Sequence, residues 1–287
     1  MVSKILKKYY RLVKPGIIYG NLLTCAAGFV IAYNHPFNFR LFVLVLLSTS
    51  LVIASACVLN NIIDIDIDSK MKRTNKRALV EGTIKIKNAY IFATVLGILG
   101  FLILLFQINI TTFIVGLIAF IDYVVIYGYA KRNSIYGTLV GTIAGSASIV
   151  AGYTAATNEL NVCALILFLI MTFWQMPHFY AIAIYRKKDY KQANIPVMPI
   201  IKGNKRTKIE IIFYSFCFLI SLISLRIFGY VDNYFIMVVG IISIYWLIYG
   251  LSGLNNKNID VWARKMFKLS LLVLLVLCIM IFLKLVY

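Results

Sequence analysis

Three oxygen-bearing side chains at a regular spacing could hold a divalent cation. Asn60, Asp64 and Asp68 are each four residues apart, and on a helix this spacing places them on one face, a turn apart. Carboxylates so close together repel each other unless a cation neutralises them. Mg²⁺ prefers oxygen ligands and usually takes one or two carboxylates together with substrate phosphates. The spacing therefore predicts Mg²⁺ on this face, while Asp66 points away and is expected to pair with a basic neighbour.

A basic segment follows the acids directly, at residues 70–77. It contains Arg73, Lys76 and Arg77, and such cations can neutralise the phosphate oxygens that a metal ion leaves free. Acids beside a dense basic segment therefore suit a metal–polyphosphate ligand. The alternatives are a solvated acidic loop end, or carboxylates that form salt bridges with the lysines that follow.

A second charged segment contains a single acid among several bases. Asp189 lies between Arg186 and Lys191. The helix before this segment is predicted to run in the same direction as the helix that carries Asp64, so the two helix ends lie at the same membrane depth. A diphosphate and its metal ions could bind between these two helix ends, with Asp189 as a further ligand.

Two ionisable residues fall inside apolar stretches. His178 follows Pro177, which is expected to kink the helix. Polar groups at membrane depth are functional hypotheses by default, so His178 could ligate or hydrogen-bond a large substrate. The alternative is a histidine that only packs and forms a structural hydrogen bond. Asp122 is expected to pair with a neighbouring Tyr or Asn, and His35 to be solvated in an outer loop; neither is given a role.

The composition requires a membrane around these residues. Of the 287 residues, 62% are apolar and 14% are charged, whereas soluble domains average ~45–50% apolar and ~25% charged. One soluble core cannot bury this excess, so part of it must face lipid, and disordered, collagen-like and disulfide-stapled secreted proteins are excluded. The cysteines lie in apolar stretches and are expected to be buried structural residues: Cys25, Cys57, Cys163, Cys217 and Cys278.

Apolar windows of ~20 residues, the length that crosses a bilayer, recur along the chain. They predict an all-α polytopic membrane protein with nine transmembrane helices, at about 16–33, 41–61, 88–107, 111–130, 136–157, 160–184, 208–228, 232–252 and 267–286. We expect these helices to form one domain over 1–287. The first window is interpreted as an anchor and not as a signal peptide, because bulky residues follow it in place of a small-residue cleavage site.

Basic residues predict how these helices are oriented. Of the 29 Lys and Arg residues, 26 fall at the N-terminus or in alternate loops, and the other three are Arg40, Arg226 and Lys284. Because cytoplasmic loops are rich in Lys and Arg, this split predicts a cytoplasmic N-terminus and, with nine spans, a C-terminus outside. The net charge of +19 is then explained by topology, which argues against a nucleic-acid partner.

Several stretches of the chain resemble a known family. The pattern at Asn60, Asp64 and Asp68 resembles the first aspartate motif of the intramembrane prenyltransferases of the UbiA, or ubiquinone-biosynthesis, type. Over roughly residues 8–205 the chain is similar to the protohaem IX farnesyltransferase (haem O synthase) branch of that superfamily. The strings that carry this similarity are KPGIIYGNL (14–22), NNIIDIDIDSKMKRT (60–74), KRNSIYGTLVG (131–141), WQMPHFYAIAIYRKKDY (174–190) and ANIPVMPIIKG (193–203).

The resemblance implies a nine-helix bundle around a central cavity, with Mg²⁺ bound near the cytoplasmic face. It implies farnesyl diphosphate and haem B as substrates, and haem O and diphosphate as products. It implies that catalysis and metal binding rest on Asp64, Asp68 and Asp189. Asn60 would be a further metal ligand, and His178 would orient haem. The diphosphate would be bound by the basic residues Arg73, Lys76, Arg77, Lys131, Arg132 and Arg186.

The chain departs from the pattern of these relatives at two places. Ser148 and Ile149 stand where the relatives usually have a double proline. The resemblance therefore does not decide whether the fifth helix bends at this place. Tyr185 stands where other branches of the superfamily have an Asp, and this replacement is usual in the haem branch.

Other functions make different predictions about the same residues. A related prenyltransferase acting on a quinone precursor or another tetrapyrrole predicts Asp at position 185. A transporter could use intramembrane charges, but transport does not explain acids packed beside Lys and Arg at one face. A CDP-alcohol phosphotransferase would need a longer aspartate signature that is absent.

Because no transit peptide is seen, we expect the bacterial inner membrane, where haem O would serve a haem A synthase or a terminal oxidase.

Overall fold

A computed structural model describes residues 2–32 and 37–283, with side chains from Ile5 onward. The described residues form helices and contain no β-strand. The helices are α1 (Val2–Leu12), α2 (Pro15–Ile31), α3 (Phe39–Ile63), α4 (Ile65–Lys70), α5 (Ile86–Ile103), α6 (Ile110–Ile121), α7 (Tyr127–Asn133), α8 (Gly137–Thr157), α9 (Val162–Tyr185), α10 (Lys187–Gln192), α11 (Met198–Ile201), α12 (Gly203–Ile227), α13 (Asn233–Ser252) and α14 (Ile259–Leu283). Two π-helical turns, Leu104–Ile108 and Asp122–Ile126, extend α5 and join α6 to α7.

Eight of the described helical segments are long and apolar enough to cross a membrane. A ninth is obtained if α1 and α2, which meet at an angle of 52°, count as one bent span. The bend lies at Lys14, whose backbone is left-handed (φ 54°, ψ 65°). Pro15 then begins α2, where its missing N–H removes no helical hydrogen bond. The all-helical polytopic prediction is confirmed, and nine spans result when the bent pair is counted as one.

The last helix begins earlier than hydropathy predicts. α14 starts at Ile259, whereas the predicted span starts at 267. Its first turns contain Arg264 and Lys265, which a hydropathy window rejects but which a helix at the membrane surface tolerates, because long basic side chains extend into water. His35, Lys284 and the ends of the predicted spans 16–33 and 267–286 lie outside the described residues.

The helix that carries the predicted metal ligands is interrupted. α3 ends at Ile63 and α4 begins at Ile65, with Asp64 at the junction (φ −94°, ψ 8°). The N–H of Asp64 still donates to the Asn60 carbonyl at 3.0 Å, and the N–H of Asp68 donates to the Asp64 carbonyl at 2.8 Å. The expected single helix is therefore two helices, but the four-residue repeat continues across the break.

The second charged segment is likewise separated from its membrane helix. α9 ends at Tyr185, and Arg186 (φ −103°, ψ 13°) separates it from α10. Asp189 therefore lies on a short helix of its own and not on a continuation of the spanning helix. Both breaks occur where the apolar sequence gives way to charge, so that each short charged helix can take its own direction.

The interior of the bundle is organised around α9. It is the most enclosed of the spanning helices and packs against α8, α12 and α14. α5 and α6 expose most of their apolar side chains, as lipid-facing helices do. Four of the five cysteines are buried as expected. That expectation is wrong for Cys217, which is half-buried beside the exposed Phe216, because that side of α12 faces outward.

Glycines allow α2 and α8 to approach closely. A Cβ atom at Gly152 would collide with the carbonyl oxygen of Cys25, and one at Gly28 would collide with the carbonyl oxygen of Ile149. The two helices therefore pack backbone against backbone, a mode that small residues permit within membranes.

Ser148, which stands where the resemblance implies a proline, reinforces the contact between α8 and α2. α8 runs unbroken through Ser148 and Ile149. The hydroxyl of Ser148 donates to Asn21 Oδ1 on α2 at 2.7 Å. In this chain a hydrogen bond between α8 and α2 thus occupies the place where two prolines would interrupt the helix.

We expect Gly152→Ala to lower the free energy of unfolding by about 1–3 kcal/mol, because the added methyl group must push α2 and α8 apart. The measurement is unfolding of the detergent-solubilised protein. Gly240→Ala is the matched control, since a Cβ at Gly240 in α13 meets open space. Equal destabilisation by the two changes would contradict the close packing of α2 on α8.

Candidate active site

Asp64 is a buried carboxylate that two basic residues neutralise. It is 5% exposed and lies between α3 and α4. Lys131, in the last turn of α7, forms an ion pair with its Oδ2, and Arg132 Nη2 lies 3.4 Å from its Oδ1. Burying an unpaired charge is costly, so these two cations allow Asp64 to be buried as an anion.

Asp68 is buried to the same extent and has its own cation. It is 5% exposed and forms an ion pair with Arg77, which belongs to the loop after α4. Arg77 also donates to Asn61 Oδ1 at 2.9 Å. Thr74 Oγ1 donates to the Asp68 carbonyl at 3.0 Å and holds this loop against α4. The structure thus places Arg77, one of the predicted diphosphate ligands, directly on a predicted metal ligand.

Asn60 is bonded to a lysine that received no role from the sequence. Lys14 Nζ donates to Asn60 Oδ1 at 2.7 Å. Asn60 Nδ2 is buried and has no hydrogen-bond partner among the described residues. The side chain is therefore held through its oxygen alone. The signal that could have pointed to Lys14 is its place before Pro15, because a residue before proline is disfavoured in helical conformation.

Asp66 lies on the exposed side of α4 and pairs with Arg132. The two terminal nitrogens of Arg132 each lie 2.8 Å from a different oxygen of this carboxylate. These hydrogen bonds lower the pKa of Asp66 to about 2. The predicted pairing of Asp66 with a basic neighbour is confirmed. Because Arg132 also donates to the Ile63 carbonyl at 2.7 Å, most of its donors are already used.

The segment that carries Asp189 lies beside the segment that carries Asp68. One apolar cluster joins them, formed by Ile67, Met71, Ala193 and Ile195, with Tyr190 and Val197 packed against it. Burial raises the pKa of the Tyr190 phenol, and the nearby Arg73 guanidinium acts in the opposite direction. The two charged helix ends are therefore neighbours, and Arg73 of the first segment lies near Tyr190 of the second.

Asp189 does not join the other acids around one ion. Its Oδ2 is 3.8 Å from Arg186 Nη1. Within residues 2–32 and 37–283, no three His, Cys, Asp or Glu side chains converge as a metal cluster. The contact between the two segments is thus made by the apolar cluster, and the only ion pair of Asp189 among the described residues is with Arg186.

The donor atoms around Asp64 fit a magnesium ion. Two buried carboxylates and the amide oxygen of Asn60 are oxygen ligands of the type that Mg²⁺ prefers. Each is matched here by a basic side chain: Lys131 on Asp64, Arg77 on Asp68 and Lys14 on Asn60. A metal ion could replace these cations, and the freed side chains could then bind phosphate oxygens.

His178 lies in an aromatic setting on α9. Its ring stacks on Trp174 at a centroid distance of 4.8 Å and an interplanar angle of 28°, and the Phe267 ring on α14 is also 4.8 Å away. His178 Nδ1 is 2.8 Å from Ser270 Oγ. α9 continues as one helix through Pro177.

Tyr185 connects the charged segment to this histidine. The guanidinium carbon of Arg186 lies 5.6 Å from the centre of the Tyr185 ring, and that of Arg264 lies 4.8 Å from it. Tyr185 in turn contacts Phe267 at 6.0 Å between ring centres. Tyr185 thus contacts two arginines on one side and, through Phe267, belongs to the group of rings around His178.

Asp122 has a different partner from the one expected. Its Oδ2 accepts a hydrogen bond from the backbone N–H of Ala144 at 3.2 Å, and its Oδ1 is buried without a partner among the described residues. The expected pairing with a Tyr or Asn is wrong, because the π-helical turn that begins at Asp122 turns this carboxyl toward the α8 backbone.

Comparison with known proteins agrees with this architecture. Residues 21–272 match the profile of the UbiA prenyltransferase family. The chain belongs to this family. It is 44% identical over 277 residues to a protoheme IX farnesyltransferase of Cronobacter sakazakii, covering 96% of this chain and 94% of the relative. The corresponding protein of Yersinia pseudotuberculosis is 45% identical over the same shares of both chains.

Solved structures share the fold of this family member. A digeranylgeranylglyceryl phosphate synthase superimposes with a TM-score of 0.81 at 22% identity, covering 97% of this chain and 98% of that one. A UbiA homologue from Archaeoglobus fulgidus, bound to DMAPP and Mg²⁺, superimposes with a TM-score of 0.69 at 20% identity, covering 93% and 99%. These likenesses confirm the UbiA fold.

We expect Lys131→Met to lower the free energy of unfolding by about 3 kcal/mol, because a buried carboxylate loses its principal cation. Added Mg²⁺ should recover part of this loss by taking the place of the lysine. Unfolding in detergent with and without Mg²⁺ measures both effects. Arg206→Met, which breaks the Arg206–Glu210 pair on α12, is the control, with an expected cost of at most about 0.5 kcal/mol and no dependence on Mg²⁺.

Proposed function

We propose that this protein transfers the farnesyl group of farnesyl diphosphate to a vinyl group of haem B, with addition of water, to give haem O and diphosphate. The observation that carries the proposal is the presence, in one bundle, of two cation-paired buried carboxylates and a histidine stacked among aromatic rings. Relatives named as protoheme IX farnesyltransferases are 44–45% identical to this chain over 96% of its length. This similarity supports the choice of substrates.

The site around Asp64 would hold the diphosphate. Asn60, Asp64 and Asp68 would bind Mg²⁺, which supplies positive charge at the leaving-group oxygens. Lys131 and Arg77, released from the acids, would donate to the remaining phosphate oxygens. These side chains are already in position and would stabilise the negative charge that develops on the leaving group.

Residues of both charged segments, the basic segment 70–77 and the segment around Asp189, would complete the site. Arg73 and Lys76 form no ion pair among the described residues, so both are free to bind phosphate. Asp189 would contribute a ligand to the metal–diphosphate complex, with Arg186 beside it. Arg132 would contribute least, because Asp66 already occupies its guanidinium.

Bond changes in the proposed reaction balance as follows. The bond between farnesyl C1 and the diphosphate oxygen breaks, and its electron pair leaves with the diphosphate. The π electrons of the haem vinyl group form a bond to C1, which leaves a positive charge on the vinyl carbon next to the porphyrin. Water adds at this carbon and loses a proton. His178 would orient haem for this attack, and apolar walls such as Tyr185 and Phe267 would limit capture of the farnesyl cation by water.

Asp64→Asn and Asp68→Asn should each lower the rate of haem O formation by at least ~10²–10³-fold, because the metal and the leaving group lose charge stabilisation. Purified protein supplied with haem B, farnesyl diphosphate and Mg²⁺ provides the assay, with products separated by chromatography. Asp66→Asn is the matched control, since Asp66 lies between the two acids but is exposed, and it should keep most activity.

Two results of this assay would overturn the proposal. Full activity of Asp64→Asn would remove its metal role. Farnesylation of an aromatic quinone precursor, with haem B left unchanged, would favour a related prenyltransferase.

We further propose that the N-terminus is cytoplasmic, the C-terminus lies outside, and the protein resides in the bacterial cell membrane, where haem O serves a terminal oxidase directly or after conversion to haem A. The distribution of Lys and Arg supports this orientation. Reporter fusions measure it. A fluorescent protein fused after Gly82 should be active inside, and alkaline phosphatase fused after Glu159 should be active outside. The reverse pattern would place the diphosphate site on the other face.

A further inference from the structure

The hydrogen bonds around His178 determine which of its ring nitrogens carries the proton. Ser270 Oγ donates to the Phe267 carbonyl at 2.6 Å, within α14. A serine hydroxyl has one proton, so this bond leaves Oγ only its lone pairs for His178 Nδ1, 2.8 Å away. The network therefore assigns the proton to Nδ1, which donates to Ser270 Oγ. In the neutral ring, Nε2 then carries a free lone pair.

The main-chain carbonyl of the same serine also anchors the indole ring of Trp174. Trp174 Nε1 donates to the Ser270 carbonyl at 2.7 Å, and Trp174 stacks on the His178 ring. Ser270 is fully buried, so water does not compete for these bonds. One residue of α14 thus sets both the protonation of His178 and the position of the ring against which His178 stacks.

The second ring nitrogen of His178, Nε2, is at most slightly exposed, since the residue as a whole is 9% exposed. Nε2 makes no hydrogen bond within the described residues. The fully buried side-chain nitrogen and oxygen atoms that lack a hydrogen-bond partner in those residues are Asn60 Nδ2 and Asp122 Oδ1, and Nε2 is not one of them. A lone pair on an accessible imidazole nitrogen is a ligand for iron and accepts hydrogen bonds. A histidine that binds a metal usually donates its other N–H to a fixed acceptor, as His178 does here to Ser270.

We propose that Ser270 is a positioning residue that holds His178 as the Nδ1–H tautomer, so that Nε2 binds the iron of the haem substrate. This inference rests on the proposed function, because it takes haem as the ligand. Ser270 acts through His178 and does not itself touch the reacting vinyl group.

The first test is binding of ferric haem by the full-length protein in detergent, followed by absorbance. Wild type should show a spectrum of imidazole-ligated iron that His178→Ala abolishes. Ser270→Ala should weaken haem binding by ~10–100-fold and reduce that spectral signature, because the Nδ1 proton loses its acceptor. Ser270→Thr keeps a hydroxyl at the same place and should restore the spectrum.

A matched control separates this role from a structural one. Ser243 in α13 is equally buried and donates to the Val239 carbonyl at 2.6 Å, but among the described residues it has no hydrogen bond to His178. Ser243→Ala should leave the haem spectrum unchanged. If Ser270→Ala keeps the wild-type spectrum and affinity, or if Ser270→Ala weakens binding as much in His178→Ala as in wild type, the positioning role is overturned.

A second measurement needs no change at Ser270. The chain has one other histidine, His35, so nitrogen NMR of histidine-labelled His35→Gln protein reports His178 alone. We expect a protonated Nδ1 and an unprotonated Nε2 before haem is added. A protonated Nε2 with a bare Nδ1 would overturn the proposal even if every Ser270 variant failed to fold.

The outcomes distinguish this inference from the proposed function. If wild type produces haem O and its haem spectrum depends on His178 but not on Ser270, the positioning role alone fails. If wild type neither binds haem nor forms haem O, the proposed function fails and this inference fails with it. Metal-free protoporphyrin is the probe control, since its binding should not depend on Ser270 when Nε2 contacts iron.

Discussion

Neutralisation of two buried carboxylates is the interaction on which the candidate active site depends. Asp64 and Asp68 are shielded from water and must be paired to remain ionised. Their cations come from different parts of the chain, Lys131 from α7 and Arg77 from the loop after α4. Charge pairing therefore holds α7 and this loop against the end of α3. In the proposed function the same cations would bind the diphosphate, so the interactions that support this end of the bundle would also prepare it for substrate.

Breaks between helices position the charged residues at this end of the bundle. Lys14, Asp64 and Arg186 each stand where one helix ends and the next begins. Irregular backbone is tolerated near a membrane only where protein or water satisfies its polar groups. Each break lets a charged segment leave the direction of its spanning helix, and the apolar cluster around Ile67 and Ile195 then packs two of these segments together.

A series of ring contacts links two arginines to the histidine. Tyr185 is covered by the guanidinium groups of Arg186 and Arg264 and contacts Phe267, which also contacts His178. An aspartate at position 185 would add a negative charge beside these arginines and would compete with phosphate for them. A tyrosine ring attracts the same cations by about 0.5–2 kcal/mol without adding a negative charge.

The amino-acid sequence by itself determined the helical membrane architecture, the acid–base pattern at Asp64 and Asp68 and the pairing of Asp66, because a bilayer demands long apolar runs and a helix repeats every few residues. Only the tertiary structure decided which cation meets which acid, where the helices break and what holds His178. Lys14 lies 46 residues from Asn60, and Ser270 lies 92 residues from His178. No local periodicity links residues so far apart, since their contact arises from the packing of helices and not from the spacing within one.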